Sequence, residues 1–75
     1  MKYAVVIANA GPNYSAHIPD LPGCVATGKT VDEVLHRMKM AVEMHLEGMR
    51  EDGLPIPPPT TRCEYIETEM AIPTA

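Results

Sequence analysis

One stretch of this chain, and only one, can form a long helix, and both of its ends are written into the sequence. Thr30-Val31-Asp32-Glu33 is a capping box. The Thr30 hydroxyl is placed to accept from the Glu33 N–H, and the Glu33 carboxylate to reach back to the N–H of Thr30. Asp32 and Glu33 also stand at the positive end of the helix dipole. Apolar residues then recur at Val31, Val34, Leu35, Met38, Ala41, Val42, Leu46 and Met49. At about 100° per residue they fall within roughly 140° of arc, a stripe made to lie on a core. Gly53 and Pro55 end the run. The spacing predicts a helix over residues 31–52, roughly 33 Å long.

The remainder reads as short strands and breaks. Residues 3–8 are apolar and partly β-branched, and they stop at Asn9-Ala10-Gly11-Pro12-Asn13, a turn. Tyr14-Ser15-Ala16-His17-Ile18 alternates apolar and polar, as a half-buried strand does. Pro19-Asp20-Leu21-Pro22-Gly23 breaks the chain twice, and Cys24-Val25-Ala26-Thr27-Gly28 reads as a third strand. Beyond the helix, Leu54-Pro55-Ile56-Pro57-Pro58-Pro59 is too rich in proline for regular structure and forms a stiff strap. Residues 63–70 are expected to make a last strand, with residues 72–75 fraying. The order is β-β-β-α-β, an α+β unit and a single domain over residues 1–75. Three strands form an antiparallel meander, and a right-handed crossover through the helix brings the fourth parallel beside the first, so the sheet is mixed.

That arrangement leaves a face bare. Tyr3, Val5 and Ile7 lie on one side of the first strand and Ala4, Val6 and Ala8 on the other. A strand apolar on both faces wants cover on both, and one helix covers one. A 75-residue chain buries only about 60% of its unfolded surface. Trp and Phe are absent, and two cysteines make no disulfide framework. Association with further copies, as a homodimer or homotetramer, is the expected remedy. The cysteines are read as reduced and the protein as cytoplasmic. The apolar run at the N-terminus is too short for a signal peptide, and no stretch is long enough to span a membrane.

The residues that carry chemistry do not assemble into a site. Ser15 and His17 share a strand face but have no orienting third group. His36 and His45 are nine positions apart, not four, and C-x-x-C is absent, so no metal or cofactor is expected. The glycines form no phosphate-cradling loop. A formal net charge of -4 argues against gripping nucleic acid and suits a basic protein partner. No catalytic residue is assigned. Met40 and Met44 lie opposite the apolar stripe, one turn apart, among Glu33, His36 and Glu47. Adjacent methionines on a polar face mark a contact surface. These five residues, with Asp20, are the candidate partner or oligomer contacts.

The most informative run is Tyr14-Ser15-Ala16-His17-Ile18-Pro19-Asp20-Leu21-Pro22-Gly23-Cys24, followed by Gly28-Lys29-Thr30 opening the helix and Gly53-Leu54-Pro55-Ile56-Pro57 closing it. Pro19 and Pro22 fix φ and remove donors, Gly23 can take a positive φ, and Asp20 can close an Asx turn. With Tyr14, Gly28 and Thr30 they make a structural motif. In this motif the chain resembles the HicB-like antitoxin family over nearly its whole length. The resemblance implies a partial RNase H-like fold and a non-catalytic role: neutralising a small basic HicA-type mRNA interferase by direct binding over its active site. Many members carry a C-terminal DNA-binding domain, and the expectation here is the N-terminal unit alone, with no direct nucleic-acid contact. The alternatives are a stand-alone homo-oligomer that binds a small molecule or peptide, and a degenerate RNase H-like nuclease. The first strand has no Asp or Glu to hold catalytic metals.

Overall fold

A computed structural model describes residues 1–70 of the chain. Three strands, β1 (Val6–Ala10), β2 (Asn13–His17) and β3 (Val25–Gly28), precede one helix, α1 (Val31–Glu51). The strands form an antiparallel meander of order β1-β2-β3. Val6 stands opposite His17 and Ala10 opposite Asn13, while Tyr14 pairs with Gly28 and His17 with Val25. The fold is α+β, as the pattern predicts.

Register decides which side chains face the helix. Ile7 pairs with Ala16, and Ala16 with Ala26, so these three share one face, and Ala16 is buried. Ile18, Leu21, Cys24, Val34 and Met38 complete the buried cluster, with Tyr3, Val5, Tyr14, Ala41, Val42 and Leu46 packed around it. The opposite face carries Val6, Ala8, Ser15, His17, Val25 and Thr27, and Val25 is 65% exposed. Nothing among the described residues covers that face.

Helix α1 begins and ends as its sequence dictates, with one difference. The Thr30 hydroxyl accepts from the Glu33 amide at 3.0 Å. The Glu33 carboxylate reaches past Thr30 and accepts from the Lys29 amide at 3.1 Å. At the far end Leu54 N–H donates to Met49 and Gly53 N–H to Arg50, a Schellman closure with Gly53 at φ 68°. The helix packs on β2 and β3 more than on β1. The apolar stripe is therefore used unevenly. Val34 and Met38 are sealed, while Val31 and Leu35 remain 43% and 41% exposed.

The expected fourth strand is the main correction. Among the described residues the sheet has three strands and is wholly antiparallel, not mixed. Residues 63–70 form no ladder and are exposed throughout. The strap explains their course. The Tyr3 hydroxyl donates to the Pro57 carbonyl, and three residues later Thr60 and Thr61 bind Asp20. Asp20 lies in the β2–β3 loop, so the strap is tied there and residues 63–70 do not join the sheet; β1 keeps an edge with no ladder partner among the described residues. The strand also starts later than expected, at Val6, because β2 ends at His17 and leaves residues 3–5 without a ladder partner. The fraying expected at residues 72–75 lies outside the described residues.

Candidate functional site

Asp20 is the most heavily engaged polar side chain among the described residues. One carboxylate oxygen accepts from the backbone amides of Thr60 and Thr61 at 3.0 and 2.9 Å, the other from their hydroxyls at 3.0 and 2.8 Å. The Thr61 amide above all, together with the other three donors, holds the Asp20 carboxyl below its ordinary value, against the opposing pull of partial burial. Sequence reasoning offered an Asx turn or a partner contact. Within the chain the carboxylate makes a clasp across 40 and 41 positions, not a local Asx turn.

The rest of the motif builds the seat for that clasp. Ile18 N–H donates to Cys24, Leu21 N–H to Ile18, and Cys24 N–H to Leu21. The loop therefore folds on itself between Pro19 and Gly23, and Gly23 takes φ 85°, where a side chain would be strained. Leu21 is 1% exposed and plugs the end of the core. Its signal was legible, as the only apolar aliphatic side chain between two loop prolines, but went unread. Beneath it the Cys24 thiol meets the Met38 sulfur at 3.8 Å. Burial pushes that thiol above its ordinary value.

The helix candidates are brought together. Glu33, His36, Met40, Met44 and Glu47 fall within roughly 80° of arc at about 100° per residue. They run along the solvent side of α1, and Met40 and Met44 are 54% and 73% exposed. Glu51 extends the line by one turn. The cation beside them, Arg37, is engaged, pairing with Glu33 at 3.3 Å and donating to the Thr27 carbonyl at 3.0 Å. The face is acidic with an apolar centre. Asp20 is not on this face; it lies in the β2–β3 loop.

A second concave surface lies between α1 and residues 1–5, which lead into β1. Tyr3, Val5, Leu35, Val42 and Leu46 line a groove of about 330 Å³, with Lys39 and Glu43 also on its wall. Sequence reasoning did not find it. Its cause is the offset of the helix toward β3, which leaves apolar side chains on α1 with no strand beneath them.

No catalytic arrangement accompanies these surfaces. Ser15 and His17 lie on the uncovered sheet face, and no hydrogen bond joins them among the described residues. His36 is exposed and His45 half-buried. No cluster of His, Cys, Asp or Glu suited to a metal occurs among the described residues, and no helix of those residues is long and apolar enough to cross a membrane.

Comparison with known proteins gives the fold a family. Residues 3–72 match the family model described as HicB_like antitoxin of bacterial toxin-antitoxin system. A protein of Haemophilus phage HP1, described as an uncharacterized 14.9 kDa protein, is 35% identical over 66 residues, which is 88% of this chain and 50% of the phage protein. A UPF0150 protein of Archaeoglobus fulgidus is 41% identical over 56 residues, 71% of this chain and 81% of its own length. A UPF0150 protein of Helicobacter pylori is 39% identical over 54 residues, 72% of this chain and 75% of that one. The chain thus spans half the length of the phage protein and most of the other two. No solved structure gives a significant match.

Proposed function

The chain belongs to the HicB-like antitoxin family, and from that membership we propose that it is a non-catalytic binding module that neutralises a HicA-type mRNA interferase by direct protein contact. The carrying observation is the solvent face of α1, where Glu33, His36, Met40, Met44 and Glu47 combine carboxylates with exposed methionine. A basic toxin is drawn to such a face by charge. Methionine then supplies adaptable apolar contact without demanding one rigid shape. The net charge of -4 favours the same encounter over one with nucleic acid. The protein works in the cytoplasm, where such a toxin meets mRNA.

Co-expression with a HicA-type toxin from the same genome tests the reading. The expected result is relief of growth arrest and co-purification of the two chains. Exchange of Met40 and Met44 for Lys should weaken the complex. Continued growth arrest with no complex formed would overturn the assignment.

A further inference from the structure

The chain exposes more surface than a protein of its size can keep bare. Its accessible surface is 6288 Å², against about 4,500 Å² for a folded monomer of 8.2 kDa. The excess, roughly 1,700 Å² per chain, is what a large, permanent homodimer interface removes from each partner. Its radius of gyration is 15.1 Å, where a compact chain of this length has about 11 Å.

Two exposed features among the described residues match. Residues 63–70 leave the body as an extended arm, and on it Tyr65, Ile66 and Met70 are 101%, 87% and 80% exposed. The outer edge of β1 has no ladder partner among the described residues, and the segment that leads into it, through Tyr3 and Val5, borders the groove lined by Leu35, Val42 and Leu46. An open edge with apolar cover is a template for one more strand. At about 3.3 Å per residue the arm spans roughly 26 Å, ample for the length of β1.

We propose that residues 63–70 are an exchange arm that adds as an extra strand to the β1 edge of a second copy of this chain, with the partner's arm returning the contact. Asp20 fixes Thr60 and Thr61 at the β2–β3 loop, and residues 63–70 pair with no strand of their own chain. The arm is therefore free for the edge of a partner, and a two-fold axis makes the exchange reciprocal. Strand alternation puts Ile66, Thr68 and Met70 on one side of the arm and Tyr65 on the other. One side then fills the groove beneath α1, and the other joins Val6 and Ala8 on the bare sheet face. The solvent face of α1 plays no part in this contact and stays free for a different partner.

The test uses the full chain. Light scattering at micromolar concentration is expected to give the mass of a dimer or of a dimer of dimers. A mixture of isotope-labelled and unlabelled chains is expected to show intermolecular nuclear Overhauser contacts from Tyr65 and Ile66 to Val6 and Ile7. Ile66→Asp is expected to weaken the dimer by at least about tenfold with the helical signal retained, whereas Met40→Lys with Met44→Lys leaves the mass unchanged. A folded monomer, contacts from the arm to β1 that arise only within one chain, or a dimer indifferent to Ile66→Asp would each overturn the proposal.

Discussion

A Cβ placed on Gly28 stands 2.9 Å from the backbone nitrogen of Val34 and 3.2 Å from its Cα. The last residue of β3 thus touches the first turn of α1 backbone to backbone. Val34 is fully buried at that point, so the helix cannot back away without opening the core. Gly28→Ala should therefore destabilise the fold by about 1–3 kcal/mol, the usual cost of overpacking. Gly48 has open space around its Cβ position and lies inside α1, so Gly48→Ala should stabilise by about 0.5–1 kcal/mol. Urea unfolding of the two variants checks the contrast, which depends on backbone proximity and not on glycine as such.

Met38 and Met44 make a second pair of opposites on the same helix. Met38 is 1% exposed and Met44 73%. Truncating Met38 to Ala leaves a void beside Cys24 and Val34 and should cost about 2–5 kcal/mol. Met44→Ala should change stability by no more than about 0.5 kcal/mol, while weakening any partner that docks on that face. Thermal unfolding together with a binding measurement separates the two roles.

Much of this was legible before any coordinates. The helix showed itself because its apolar spacing, cap and closing glycine are all local, acting over a few residues. The three-strand meander was legible from alternation and turn residues. What was not legible depends on separation. The Asp20–Thr61 clasp joins positions 41 apart, and no local pattern encodes such a pair. The helix stripe was read as core-facing along its length, but the sheet underlies it mainly at β2 and β3, which leaves Leu35 over a groove. The fourth strand failed for the same reason. A strand over residues 63–70 needs a sheet edge within reach, and no local pattern encodes where the strap brings the segment. The Glu33 carboxylate shows the limit at small scale, settling on Lys29 one residue beyond the expected Thr30.

The clasp predicts a pH response. The Asp20 carboxyl is held below its ordinary value in the folded chain, so the folded state favours the ionised form. Its contribution is present at neutral pH and persists until the pH falls through that lowered value, where protonation removes the acceptor. Amide resonances of Thr60 and Thr61 should hold constant through the mildly acidic range and shift together only below the usual carboxylate range. Asp20→Ala should release both amides to faster hydrogen exchange at every pH while Val34 and Met38 stay protected. If the strap amides were as protected in that variant as in the parent, the strap would be held without the clasp, by its prolines and the Tyr3–Pro57 hydrogen bond.

Cysteine reactivity gives the last check, on the core itself. Cys24 is buried against Met38, and burial pushes its thiol above the ordinary value. Cys63 is exposed on the arm. The thiolate is the reactive form, and Cys24 is short of both thiolate and access. Brief alkylation near neutral pH should add one group to the native protein, at Cys63, and two in denaturant, with mass spectrometry reading both. Slow native labelling of Cys24 then measures the opening of the β2–β3 loop over the core, and Met38→Ala should accelerate it by loosening the contact that seals the thiol.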